Sequence, residues 1–154
     1  MRYATFLFLA MVSAAACSDS AASLHRAAYE GDLPAVMRLI ESGAEIAARD
    51  ELGNTPLHYA ANQSHAAVII FLLESGARVN TQEKSGMTAL HHAVWGNDSE
   101  IARTLLERGA DPNIRALNGQ TALDVAVQAN RGEIIRLLSR YDAELGSRGN
   151  RSRR

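Results

Sequence analysis

The sequence predicts an all-α protein made of about four stacked helical repeats, and two regular spacings support this prediction. Leucines recur every 33 residues along the 154-residue chain, at Leu24, Leu57, Leu90 and Leu123. Two series of glycines keep the same interval, namely Gly43, Gly76 and Gly109, and Gly53, Gly86 and Gly119. A fixed period of this length is typical of repeat proteins, in which each unit buries its apolar face by stacking on its neighbours.

The second repeat shows how each unit is expected to be built. Thr55 and Pro56 favour a helix start, because a Thr hydroxyl can accept from a free backbone N–H and proline is tolerated in the first turn. A second helix is predicted over residues 66–75, where apolar side chains cover more than one face, as in a helix packed between neighbours. Gly76 should end this helix in a left-handed cap, and the polar run 78–86 has the turn chemistry of a hairpin-like loop.

The segment Thr55-Pro56-Leu57-His58, with the phase of the glycines, resembles the ankyrin repeat. The resemblance covers residues 22–141 and implies a solenoid of helix-turn-helix units joined by hairpin-like loops. The first repeat lacks its hairpin part. In the fourth, Asp124 stands at the histidine position and Asp142 at the position of the capping glycine. The first and fourth repeats are therefore expected to cap the stack.

The N-terminal segment has the form of an export signal. Residues 1–16 combine Arg2, an apolar run and a stretch of small residues, as a secretory signal peptide does. The end of this segment, with the sole cysteine Cys17, resembles a bacterial lipobox. The resemblance implies a lipidated Cys17, and Ser18 after it is compatible with a periplasmic protein anchored to the outer membrane. Ala14 stands where a bulky aliphatic residue is usual, so plain cleavage before Cys17 stays open.

The segments that flank the repeats are polar. Residues 17–21 are expected to form a linker that begins at the lipidated cysteine. Residues 142–154 are rich in Gly, Ser and Arg and lack apolar periodicity, so a disordered basic tail is predicted there.

The charge distribution argues against nucleic acid as the partner. Of the 16 basic residues, five lie near the two ends, which leaves 11 against 17 acidic residues and a net charge of −6 for residues 3–147. Phosphate binding needs clustered Lys and Arg. Short basic ends are usually only solvated, although contact with anionic lipid headgroups stays an alternative for the tail residues Arg148, Arg151, Arg153 and Arg154.

The histidines are expected to be structural. His25, His58 and His91 recur once per repeat, about 10 Å apart, which is too far for zinc ligands at about 2.0–2.3 Å. The resemblance implies that they hydrogen-bond backbone and Thr hydroxyl groups between turns and repeats. His65 and His92 are expected to be exposed. Neither a metal nor a cofactor is predicted, but a periplasmic metal or small-ligand binder using His65, His91 and His92 is kept as an alternative.

The predicted function is non-catalytic protein–protein interaction. A nucleophile needs a base within reach, and the only cysteine lies at the leader junction, so no enzyme activity is expected. The partner is a protein of unknown identity, and a specific inhibitor or immunity-type partner of an exported enzyme is a further alternative.

The resemblance implies that the hairpin tips and the exposed ends of the first helices bind the partner. By position these residues are Tyr29, Glu30, Glu51, Leu52, Asn54, Asn62, Gln63, Lys84, Ser85, Met87, Trp95, Leu117, Asn118, Gln120 and Gln128. Trp95, the sole tryptophan, is expected to be the main anchor, because Trp is enriched among binding hot spots. Its alternative role is to cover a neighbouring repeat. Met87, Asn62 and Gln63 are expected beside it.

Overall fold

The described part of the chain forms four helix-turn-helix pairs. A computed structural model describes residues 21 and 23–151, with side chains as far as residue 142. The first helices of the pairs are α1 (23–30), α3 (Pro56–Asn62), α5 (Ala89–Trp95) and α7 (Ala122–Gln128). The second helices are α2 (Leu33–Glu41), α4 (Ala66–Glu74), α6 (Ser99–Glu107) and α8 (Gly132–Arg151). No strand occurs within the described residues. The predicted helical solenoid of four repeats is confirmed.

The helices stack in two layers. In the first layer α3 packs on α5 and α5 on α7, and in the second α2 packs on α4, α4 on α6 and α6 on α8. Each pair also packs internally, as α3 does on α4. The first layer is lined by small side chains such as Ala60 and Ala93, which are fully buried. Alanine at these positions lets short helices approach closely. The hydrophobic core is therefore narrow and continues from each repeat to the next.

The second helices supply most of the large apolar side chains. In α4, Val68, Ile69 and Leu72 are buried while Phe71 and Leu73 are partly buried against the same core. This distribution confirms the predicted helix over residues 66–75, because a helix sandwiched between two neighbours must be apolar on more than one face.

The turn inside each helix pair requires a left-handed backbone conformation, although only one of the four turn residues is a glycine. The four equivalent turn residues all have positive φ: Gly31 (75°), Ser64 (60°), Asn97 (58°) and Asn130 (55°). Glycine adopts this conformation without cost, and Asn tolerates it better than most residues. Gly31 has a further constraint, because a Cβ there would lie 2.5 Å from the ring of His65.

Three long loops connect the repeats, and their tips are tied together. These are loop 1 (residues 42–55), loop 2 (75–88) and loop 3 (108–121). The Lys84 N–H donates to the Leu52 carbonyl (2.9 Å), and the Leu117 N–H donates to the Ser85 carbonyl (2.8 Å). The tips therefore form a continuous row of backbone linked by hydrogen bonds.

The predictions for the two ends of the chain compare differently with the structure. The predicted signal peptide, Cys17 and all but residue 21 of the predicted linker lie outside the described residues. At the other end, the sequence predicts a disordered tail over residues 142–154, whereas α8 continues to Arg151. Tyr141 is the last described side chain that packs on the core. Among the described residues, no helix is both long and apolar enough to cross a bilayer.

The packing of α4 predicts a large stability loss on truncation of Leu72, which is fully buried. Leu72→Ala should lower the free energy of unfolding by about 2–5 kcal/mol, because the deletion leaves a cavity between repeats. Leu52→Ala makes the same chemical change at a side chain that is 63% exposed, and should cost about 0.5 kcal/mol or less. Urea unfolding of the two variants checks the comparison, and equal midpoints would contradict the placement of α4.

Candidate functional site

The loop tips surround a shallow apolar depression of about 560 Å³. We call it the loop-tip depression; it is lined by Leu52, Asn54, Glu83, Lys84, Ser85, Met87, His92 and Leu117. Leu52, Met87 and Leu117 come from three successive loops. The backbone bonds between the tips place these loops side by side, so residues 33 and more positions apart line one surface.

A second depression of about 380 Å³ adjoins the first. It is lined by Ser85, Met87, Trp95, Ala116, Leu117 and Asn118, and we call it the Trp95 depression. Ser85, Met87 and Leu117 line both, so the two form one continuous apolar surface. Trp95, at the end of α5, is 52% exposed, and Leu117, at the tip of loop 3, is 81% exposed. Two large apolar side chains are therefore in contact with solvent on one surface.

Two carboxylates hold the first two loop tips in shape. Asp50 accepts from the backbone N–H groups of Leu52 (2.9 Å) and Asn54 (2.8 Å) and from the Tyr59 hydroxyl (2.6 Å). Burial raises the pKa of Asp50, but these hydrogen bonds outweigh burial and hold it below its ordinary value. The carboxylate is therefore charged at neutral pH.

Glu83 plays the same part in loop 2. Its carboxylate accepts from the Ser85 N–H (2.8 Å), the Met87 N–H (3.1 Å) and the Ser85 hydroxyl. Burial raises the pKa of Glu83 while the bonds from Ser85 and Met87 lower it, and the net shift is downward. Ala116 stands at the equivalent position in loop 3. There the Asn118 side chain takes over, accepting from the Gln120 N–H at 3.0 Å.

Long polar side chains connect each loop to the next. The Arg49 guanidinium donates to the Gln82 carbonyl (2.6 Å), and the Gln82 amide donates to the Arg115 carbonyl (3.0 Å). Arg115 occupies the same repeat position as Arg49, and no fourth loop follows loop 3 within the described residues. Arg115 turns back to the Gly119 carbonyl (2.7 Å) and lies 3.8 Å from the Asp124 carboxylate.

The repeated histidines fasten helix starts to loops. His58 Nδ1 accepts from the Thr55 N–H (3.1 Å) and lies 2.9 Å from the Thr55 hydroxyl, so the neutral ring carries its proton on Nε2, which donates to the Thr81 carbonyl (3.0 Å). His91 repeats this pattern with Thr88, and its Nε2 lies 3.4 Å from the Gln120 carbonyl. The predicted structural role is confirmed.

His25 makes a related but different set of contacts. Its Nδ1 faces the Ala21 carbonyl (2.7 Å), and its Nε2 faces the carbonyls of Ala48 and Asn54, both at 3.0 Å. The first repeat is thereby tied to loop 1, which confirms the predicted structural role of this histidine as well.

The prediction that His65 and His92 are exposed is wrong. His65 is half-buried, because its ring packs against Gly31 and its Nε2 lies 2.9 Å from the Tyr29 carbonyl of the preceding repeat. His92 is also half-buried, and its ring meets the ring of His58 edge-on with centroids 5.5 Å apart. The preceding repeat covers both rings, with its backbone at Tyr29 and Gly31 for His65 and with the His58 ring for His92. The sequence of a single repeat does not show these contacts. Within the described residues, no three His, Cys, Asp or Glu side chains lie close enough to hold a metal ion.

Comparison with protein-family models identifies the repeat. A model described as ankyrin repeats (3 copies) matches residues 24–116, and a second, described as ankyrin repeats (many copies), matches residues 100–138. The first match alone covers more than half of the chain. The chain belongs to the ankyrin-repeat family. This membership indicates a protein–protein interaction module. A search of curated proteins found no match.

The structure brings together about half of the site residues that the ankyrin resemblance implies. Eight of them line the two depressions: Leu52, Asn54, Lys84, Ser85, Met87, Trp95, Leu117 and Asn118. Gln120 and Gln128 continue this face, because the Gln120 amide joins the side chains of Asn118 (2.6 Å) and Gln128 (2.7 Å).

The remaining implied residues lie apart from the depressions. Tyr29 packs edge-on against Tyr59 with ring centroids 6.1 Å apart, and Glu30 pairs with Arg26 at 3.1 Å. Asn62 and Gln63 are exposed at the end of α3, and Glu51 is exposed at the tip of loop 1. None of these five lines either depression.

Sequence reasoning missed Glu83, His92 and Ala116, which also line the depressions. A signal for Glu83 exists, because Asp50 and Glu83 are 33 residues apart and each precedes the loop glycine by three. A carboxylate at the start of a turn that ends in glycine is typical of side chains that accept from the backbone N–H groups of that turn. His92 has no comparable signal.

The buried histidines predict that the ankyrin domain loses stability in acid. Burial lowers the pKa of His58 to about 4, and burial lowers the pKa of His91 and His92 too. The unfolded chain has ordinary histidines that protonate near pH 6.5, so stability is fully present above that pH and falls as the pH drops toward 4. His58 alone should cost about 2 kcal/mol between about pH 7.5 and pH 5.

Urea unfolding at the two pH values measures this loss. In His58→Asn, whose amide oxygen can still accept from the Thr55 N–H, the difference between the two pH values should shrink. Gln63→Ala, a change at an exposed residue of α3, should keep the wild-type difference. An equal pH dependence in wild type and His58→Asn would show that His58 is not the source.

Proposed function

We propose that this ankyrin domain binds a partner protein through the surface formed by the loop-tip and Trp95 depressions, with Trp95 as the main anchor. The observation that carries the proposal is the apolar surface at the loop tips, where Leu52, Trp95 and Leu117 are all more than half exposed. Exposed, contiguous apolar surface rimmed by polar groups is typical of interaction sites.

The rigidity of this surface supports the same proposal. Its backbone is held by hydrogen bonds within each tip and between neighbouring tips, so the apolar side chains are presented without a large ordering cost on binding. Trp95 ends α5 and lies beside Met87 and Leu117. A large aromatic at the centre of such a surface is the residue type that most often dominates binding energy.

Truncation of Trp95 tests the anchor. Trp95→Ala should weaken binding of a partner captured from periplasmic or membrane extract by about 30-fold, which corresponds to about 2 kcal/mol, while the thermal midpoint stays near wild type. Val127→Ala is the control, because Val127 is 59% exposed on α7 and lines neither depression. If the affinity of Trp95→Ala is unchanged, or falls only because the domain unfolds, Trp95 is a packing residue.

We also propose that the protein is exported and held at the bacterial outer membrane by a lipid on Cys17. The support is the sequence of the leader, in which an apolar run and small residues precede the only cysteine. Because the protein would then lie in the periplasm, we expect its partner to be a protein of the cell envelope.

Metabolic labelling tests the anchor on Cys17. Labelled palmitate should be incorporated into the wild-type protein and not into Cys17→Ser, and wild type should partition into the detergent phase. Ser18→Ala is the matched control, since it alters the neighbouring residue and keeps the thiol. Equal labelling of wild type and Cys17→Ser, or no labelling in a host that matures lipoproteins, leaves a secreted module without an anchor.

A further inference from the structure

The loop-tip depression contains one cation that the protein does not neutralise. Lys84 lies at the tip of loop 2, is exposed, and makes no ion pair within the described residues. The neighbouring carboxylate, Glu83, is already occupied by two backbone N–H groups and a hydroxyl of its own loop. Glu83 keeps its negative charge, but both of its oxygens already accept hydrogen bonds. The Lys84 ammonium is therefore the charged group of the lining that makes no ion pair within the described residues.

His92 adds a second unsatisfied group to the same depression. Its Nε2 is buried and has no hydrogen-bond partner within the described residues. A buried polar atom without a partner is destabilising, and such atoms in native structures call for an explanation. The ring lines the depression, so a ligand bound there lies beside it.

The walls around these two groups are apolar. Leu52, Met87 and Leu117 supply side chains from all three loops, and no other cation lines the depression. A ligand that combines an apolar side chain with one negative charge matches the apolar walls and the unpaired Lys84 ammonium. Residues 22–141 carry 11 basic and 14 acidic residues, a net charge of −3. This charge, together with Glu83 in the lining, favours a short segment with one carboxylate over a broadly acidic partner, which the domain as a whole repels.

We infer that the loop-tip depression binds a peptide segment of the partner in which a carboxylate lies next to an apolar side chain. The apolar side chain packs between Leu52, Met87 and Leu117, and the carboxylate pairs with the Lys84 ammonium and lies beside the His92 ring. This inference rests on the proposed protein-binding function and specifies the chemistry of its ligand.

The position of His92 in the depression also makes binding of the ligand carboxylate depend on pH. The ionisable groups that face His92 are His58 on α3, His91 beside it on α5, and Glu83 and Lys84 on loop 2. Burial lowers the pKa of His92 below its ordinary value, and Glu83 only partly opposes this. A ligand carboxylate favours the protonated ring, so binding takes up a proton and tightens as the pH falls.

Short blocked peptides provide the probe. Two peptide pools share a fixed Leu with random flanking residues, and the position next to the Leu is Glu in one pool and Gln in the other. The wild-type domain should bind the Glu pool about fivefold more tightly or better, because a charge-assisted pair replaces a neutral contact. The preference should increase between about pH 7.5 and pH 6, a range in which His58 stays neutral.

Three variants assign the effect to the two groups. Lys84→Gln should remove most of the preference for Glu over Gln. His92→Phe should keep the preference at high pH but lose its increase toward pH 6. Arg103→Gln removes an exposed cation from α6, outside the depression, and should behave as wild type in both respects.

The possible results separate this inference from the proposed function. Equal binding of the two pools, binding of neither, or the same preference in Lys84→Gln overturns the inference. A pool with Lys beside Leu that binds better than the Glu pool also overturns it. If Trp95→Ala weakens the captured partner while Lys84→Gln and His92→Phe do not, the protein-binding function stands and the peptide chemistry is wrong. If the Glu preference is seen but Trp95→Ala has no effect, the inference stands and the proposed anchor falls.

Discussion

The hydrogen bond from the histidine ring to the following loop is the interaction on which the rest of the structure depends. His58 joins two pieces of chain, the start of its own helix at Thr55 and the Thr81 carbonyl 23 residues later. Its proton position follows from these partners, because one nitrogen must accept and the other must donate. One side chain thus fixes the helix start relative to the following loop. The loop tips that form the candidate site are positioned by the same bonds.

The fourth repeat shows why the histidine is needed and where it is not. Asp124 takes the histidine position there, accepting from the Thr121 N–H at 2.8 Å and from the Thr121 hydroxyl at 2.9 Å. A carboxylate performs the helix-start half of the task but has no donor for a later carbonyl. No later loop follows α7 and α8 among the described residues, so none is required. Arg115, which turns back to its own loop instead of reaching forward, marks the same boundary.

The period of 33 residues and the helix-start and turn residues within one repeat predicted the helix pairs and the loops. The structural role of the histidines came from the resemblance to the ankyrin repeat, because His58 bonds the Thr81 carbonyl outside its own helix pair. His65 and His92 show what the period could not predict. Whether these rings are exposed depends on atoms of the neighbouring repeat, such as the backbone at Gly31 for His65 and the ring of His58 for His92. The same limit applies to the site, since the resemblance names the positions at the loop tips but not which of them share a depression. Tyr29 and Trp95 occupy repeat positions of the same kind, yet only Trp95 lines one.

Two of the bonds between neighbouring loops use backbone atoms alone, from the Lys84 N–H to the Leu52 carbonyl and from the Leu117 N–H to the Ser85 carbonyl. The side chains of Leu52, Lys84 and Leu117 are therefore not needed for these two bonds. If the proposed surface binds the partner, replacement of Leu52, Lys84 or Leu117 should change the chemistry of that surface and leave its backbone geometry in place. The residues that would set specificity are then different from the residues that hold the fold.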